Sequence, residues 1–207
     1  MFYDTAGNRH GLAHDPFKAI VAPRPIGWIS TRSNDGAVNL APYSFFNAIS
    51  DDPKLVLFSS AGGPKDSASF AIESGEFVAN LATRALARAV NQSSAPAPRG
   101  VSEFALAGLD EAPCVLIKAP RIAQSPAALE CRVTEWFSPK GADGSVSSSI
   151  VVIGEVVGIH VDESIIRDGR IAMDLAVPLA RLGYLDYSAT GEVFEMRRPR
   201  EPDASDV

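Results

Sequence analysis

The chain has 207 residues, 46% of them hydrophobic and 21% charged, with a formal net charge of −6. Such a chain is long enough to bury a full core as one domain. The acidic balance argues against a general nucleic-acid binder, and no apolar run approaches the ~18 residues a membrane span needs. The start, Met1-Phe2-Tyr3-Asp4, has no basic stretch leading into an apolar run. A cytoplasmic location is therefore expected.

In chain order the reading is mainly β, with short helices. Ile20 to Thr31 reads as a strand interrupted by Pro23 and Pro25, hence an edge, a bulge or a strand entry. Asn34-Asp35-Gly36 is a turn signal between strands. Val38 to Leu40 resumes a strand, and Pro42 is expected to force a loop through Tyr43 to Asn47. Leu55 to Ser59 is a third strand, and Asp66 or Ser67 can cap a short helix, Ala68 to Glu73, ended by Gly75. Phe77 to Leu81 is a strand and Thr83 to Gln92 is alanine-rich and helical. Ser93 to Gly100, with Pro96 and Pro98, reads as a loop, either a flap or a dimer arm.

Ala128 to Phe137 alternates as a strand. After a turn at Gly141 to Ser145, Ser149 to Val161 is a long apolar strand that asks for burial on both faces. No linker divides the chain. A single β-barrel domain over 1–207 is expected, with its core at about 15–199 and a frayed tail at 200–207.

Several residues invite chemistry. Lys65-Asp66-Ser67 follows a strand and a Gly-Gly-Pro turn and opens a helix, so free N–H groups, an ammonium and a hydroxyl meet there. That is either an anion site or an ordinary helix start. It is not a Walker loop, because the glycine spacing is absent. Tyr43-Ser44-Phe45-Phe46-Asn47 sets aromatics among donors and acceptors, a pocket edge or a core-packing turn. Trp28 is open between core and pocket.

Counting by two along the last long strand puts Gly154, Val156, Gly158 and His160 on one face. Glycines there leave a gap, beside which His160 serves either a substrate or the structure. Arg181-Leu182-Gly183-Tyr184-Leu185-Asp186-Tyr187 has a tight turn at Gly183, and Arg181 and Tyr187 line a pocket or an interface. Cys114 and Cys131, far apart in apolar surroundings, read as buried structural thiols, and His10, His14 and His160 form no ligand set, so no metal is expected.

Taken together, these motifs resemble the flavin reductase-like domain proteins of the FMN-binding split-barrel fold. The resemblance rests on Arg24-Pro25-Ile26-Gly27-Trp28-Ile29-Ser30-Thr31, on Asn39 to Asn47 and on Lys65-Asp66-Ser67. Glu76 to Leu81, Gly154 to His160 and Gly191 to Glu195 extend it, so that it covers about Pro23 to Pro199. It implies a homodimer of six-stranded split barrels with FMN near the interface and NADH or NADPH as reductant.

By that resemblance Trp28, Ser30, Thr31, Tyr43, Ser44, Phe46 and Asn47 contact the flavin ring and ribityl chain. Ser59, Lys65, Asp66 and Ser67 surround the phosphate, and His160 lies on the nicotinamide side as the catalytic residue. Ser67 stands where threonine is as frequent, and Tyr184 where a second glycine is common. The implied activity is an NAD(P)H:flavin oxidoreductase passing electrons to free flavin or a partner monooxygenase. An FMN-binding electron carrier without NAD(P)H turnover, or a non-catalytic β-barrel binding module, are the alternatives.

Overall fold

The computed structural model describes residues 1–63, 65–97 and 101–198. The tail at 200–207 lies outside them. Seven antiparallel strands form one sheet: β1 (Gly27–Arg32), β2 (Val38–Tyr43), β3 (Phe46–Asp51), β4 (Lys54–Ser60), β5 (Glu76–Leu81), β6 (Ala127–Phe137) and β7 (Ile150–Val161). Their order is β2-β1-β5-β6-β7-β4-β3. The sheet, one strand larger than the six the resemblance implies, curls into a split barrel. Tyr43 on β2 and Phe58 on β4, near opposite ends of that order, bring their rings to 5.1 Å. Phe58 meets Phe77 of β5 edge-on at 5.2 Å. Such pairs add about 0.5–1.5 kcal/mol each beyond their burial.

Helix α1 (Asp66–Ser74) closes the concave side, burying Ala68 and Ala71 against Ile29, Val56, Phe77, Cys131 and Val152. Gly75 ends it in a left-handed conformation at φ +75°. On the convex side Trp28 packs with Leu40, Val90, Phe104 and Ile122 under α2 (Ala87–Gln92) and α3 (Glu103–Ala107). Both faces of β1 are thus buried, which is why its sequence does not alternate. A second small sheet pairs Arg24–Pro25 with β8 (Leu179–Arg181), which pairs with β9 (Tyr187–Ala189).

Three local expectations need correction. Ile20 to Thr31 is not one strand: a single turn of helix, Phe17–Ile20, precedes the two-residue strand at Arg24–Pro25. Proline at 42 does not end its strand, because β2 is a sheet edge and a missing N–H costs no ladder bond there. The helix expected from Thr83 begins only at Ala87. Along β7, Ile159 is 57% exposed in the single chain, so the burial expected on both faces is incomplete. Among the described residues no helix is long and apolar enough to cross a membrane.

Candidate functional site

A cavity of about 540 Å³ opens where β2, the start of α1 and the segment after α2 meet. Tyr43, Lys65, Asp66 and Ser67 line it, together with Asn39, Pro42, Glu103 and residues 93–97. Strand β4 and the Gly62-Gly63 turn deliver the chain to the first turn of α1, which sits at the cavity wall. Lys65 takes the position before the helix in an extended conformation, with no side-chain cap on the helix end. The first N–H groups of a helix have no partner within it and carry the positive end of its dipole.

A hydrogen-bond chain stiffens the opposite wall. Glu103, buried, accepts the Asn39 Nδ2–H at 3.0 Å and the Leu40 N–H at 3.0 Å. Asn39 is thereby oriented with Oδ1 toward Ser67, whose hydroxyl donates to it. Burial pushes the Tyr43 phenol up, while the neighbouring Ser67 and Ser60 hydroxyls pull the other way. Tyr43 therefore stays a neutral donor at the cavity floor.

The other expected cofactor residues fall elsewhere. Trp28 is fully buried in the convex core and donates its indole N–H to Ser93 Oγ at 2.9 Å. Ser30 donates to the Pro120 carbonyl at 2.6 Å and receives the Asn80 amide at 3.0 Å. The Thr31 hydroxyl is buried without a hydrogen-bond partner among the described residues. Phe46 lies over Gly27, where an added Cβ would come within 2.4 Å of the ring. Asn47 is exposed, and its Oδ1 accepts the Ala48 N–H. Ser59 is half-buried and gives its N–H to the Phe45 carbonyl at 2.8 Å. None of these six side chains lines the cavity.

Ser44 lines a second cavity of about 430 Å³, which shares Pro42 and Ser94 with the first. Arg24 and Arg181 stand in its wall, and neither forms a salt bridge among the described residues. Burial lowers the Arg24 guanidinium from its ordinary value, and the nearby Arg181 charge lowers it further. Arg181 stacks on Tyr187 at 4.4 Å. Tyr184 adopts φ +56°, a conformation that a second glycine would take without strain.

The gap expected beside His160 is filled, and the reason is a break in register. Bulges in the β6–β7 pairing fall between Ile153 and Gly154 and between Val156 and Gly158, so counting by two fails. Gly154 faces Phe77, where a Cβ would sit 2.4 Å from the ring. Gly158 faces Glu130 instead, with 3.3 Å to its carboxyl carbon. His160 Nε2 lies 2.5 Å from Glu130 Oε1 and lines no part of the 540 Å³ cavity.

Glu130 is itself buried and accepts the N–H groups of Val115 at 2.8 Å and Leu116 at 2.7 Å. Burial pushes its carboxyl up, but these bonds and His160 together hold it below the ordinary value. Cys114 is half-buried against the apolar cluster of Val78, Ile117, Ala119 and Ala128, as expected, but also beside this carboxylate, and burial first, then the Glu130 charge, push its thiol up to about 12. Sequence reasoning passed over Asn39 and Glu103, whose roles follow from two distant segments meeting.

Comparison with known proteins agrees with this architecture. The family model described as flavin reductase like domain matches residues 21–179. An uncharacterised protein of Halalkalibacterium halodurans is 38% identical over 183 residues, covering 86% of this chain and 87% of that protein. The crystal structure of nitrilotriacetate monooxygenase component B from Bacillus cereus superposes with a TM-score of 0.86 at 29% identity, covering 95% of this chain and 98% of that one. Pseudomonas fluorescens 2-nitrobenzoate 2-nitroreductase gives a TM-score of 0.84 at 28% identity, covering 99% and 100%. The chain belongs to the flavin reductase-like domain family and has its split-barrel fold.

Proposed function

We propose that the chain binds FMN with its phosphate at the start of α1 and works as an NAD(P)H-dependent flavin reductase. The observation that carries the reading is a 540 Å³ cavity with a helix N-terminus, an ammonium and a phenol at its wall. Its volume lies within the ~300–1,000 Å³ of cofactor sites. Lys65 and the first N–H groups of α1 would hold the phosphate. Glu103 and Asp66 are anions on the same cavity, so the helix end and Lys65 must outweigh them. The charge of Glu103 is already taken up by Asn39 and Leu40.

The bound flavin would supply two-electron chemistry, and the protein's part is to hold, orient and shield it. Ser44 and Tyr43, on adjoining cavities that share Pro42, suit the polar edge of the ring and the polyol chain. No dinucleotide-binding glycine fingerprint occurs in the sequence, so nicotinamide would bind against the flavin itself. The similarity to a monooxygenase component supports a partner oxygenase as electron acceptor.

A homodimer is part of the same reading. Ile159 and Trp136, exposed on the paired strands β7 and β6, would be covered in it. Anaerobic mixing of the FMN-loaded protein with NADH and with NADPH tests the activity. Rapid bleaching of the flavin by either is expected. A protein that binds FMN but is reduced by neither is an electron carrier, and one that takes up no flavin is a binding module.

A further inference from the structure

We propose that Cys114, Glu130 and His160 form a binding site for a divalent transition metal, with zinc the ion its donors suit best. The three come from separate parts of the chain: the loop before β6, strand β6 itself and the end of β7. Cys114 Sγ, a Glu130 carboxylate oxygen and a His160 ring nitrogen all lie within 4.8 Å of one another. Donors around a tetrahedral zinc stand roughly 3.3–3.6 Å apart, as ligand bonds of ~2.0–2.3 Å require. The cluster is thus already close to the size of a coordination shell.

The donor set is chemically specific. Thiolate, imidazole and carboxylate together favour zinc over the hard cations, which take oxygen alone. A divalent ion with a thiolate and a carboxylate is also a neutral group, which limits the cost of placing it in this half-buried spot. Glu130 is fixed from behind. The Val115 and Leu116 N–H groups, immediately after Cys114, bind its two oxygens at 2.8 and 2.7 Å. One short loop therefore supplies a ligand and orients another, the supporting role that outer hydrogen bonds play at metal centres. Each carboxylate oxygen keeps a lone pair for a metal.

His160 is at present 2.5 Å from Glu130 Oε1, and its side chain is 25% exposed. A shift of about 1 Å would take it to the separation two zinc ligands need. On binding, the Cys114 thiol proton leaves to solvent and the imidazole proton sits on Nδ1, freeing the Nε2 lone pair. Cys114 also borders a small cavity of about 250 Å³. A water molecule would complete a three-ligand site. Nothing in this assignment depends on the flavin reading, since Cys114, Glu130 and His160 line neither of the cavities discussed for it.

Cobalt(II) titration of the full chain tests the site, read as difference spectra so that any flavin absorption cancels. The expected result is saturation at one cobalt per chain, with a thiolate-to-cobalt charge-transfer band and visible bands of a four-coordinate ion, all reversed by zinc. Cys114→Ser should abolish the charge-transfer band, whereas Cys131→Ala should keep it. His160→Ala should weaken cobalt binding by more than about tenfold. Zinc should raise the unfolding temperature of the unaltered chain and not that of Cys114→Ser, because a ligand stabilises the state that binds it. No charge-transfer band in the unaltered chain, or one that survives Cys114→Ser, would overturn the assignment.

Discussion

Glu103 takes the Asn39 side-chain amide at 3.0 Å, and that one bond decides which way Asn39 faces Ser67 across the cavity. With its N–H₂ given to the carboxylate, Asn39 has only its oxygen to offer, so Ser67 donates. The Ser67 hydroxyl then meets the cavity with its lone pairs, and an anion there relies on backbone N–H groups and Lys65. Glu103→Ala removes the acceptor for two buried donors, Asn39 Nδ2 and Leu40 N. A loss of about 1–3 kcal/mol in urea unfolding is expected, the cost of leaving such groups unpaired. A smaller loss is expected for Glu103→Gln, which keeps one acceptor oxygen.

Trp28→Phe tests the placement of Trp28 in the core. The indole is fully buried and its N–H is bound to Ser93. The smaller ring forfeits that bond and leaves a void, so a destabilisation of about 1–3 kcal/mol is expected. Thermal unfolding measures it. An unchanged midpoint would remove Trp28 from the core's supports.

Much of the fold was legible, and its failures have physical causes. The Asn34-Asp35-Gly36 turn, the α1 stop at Gly75 and the long strands β6 and β7 follow from local chemistry and alternation. Pro42 misled because only sheet order reveals an edge strand. His160 misled because a bulge is invisible to period-two counting, and the bulge after Val156 turns Gly158 and His160 toward Glu130. In the cavity Lys65, Asp66 and Ser67 were legible as a helix start, whereas Tyr43, read as loop, ends strand β2. Asn39 and Glu103 were not legible, since their pairing spans 64 residues. The cluster of Cys114, Glu130 and His160 was hidden for the same reason.

Gly154 and Gly158 should respond unequally to alanine. At Gly154 the new methyl would meet the Phe77 ring at 2.4 Å and the Cys131 Cβ at 3.1 Å, inside the concave core. Overpacking of this kind costs about 1–3 kcal/mol. At Gly158 the approach is 3.3 Å, to the Glu130 side chain. Denaturant titration should rank Gly154→Ala as the more destabilising. The reverse order would contradict the two-faced reading of β7.

The proposed homodimer predicts a solution mass of twice the 21.9 kDa chain. Light scattering at micromolar concentration measures it. Ile159→Lys should shift the population toward the single chain if β7 is in the interface, because a buried unpaired ammonium is costly there. A mass near 21.9 kDa for the unaltered protein would rule the dimer out.

The most direct test of the central claim is a fluorescence titration of the protein and of Lys65→Ala with FMN and with riboflavin, which differ by the phosphate alone. With the phosphate at the start of α1, FMN binds the unaltered protein more tightly than riboflavin does. Lys65→Ala then weakens FMN by about 1–3 kcal/mol, the range of charge-assisted hydrogen bonds, and leaves riboflavin nearly unchanged. Equal losses for the two ligands, or equal affinities to begin with, would contradict the assignment of this cavity to the flavin phosphate.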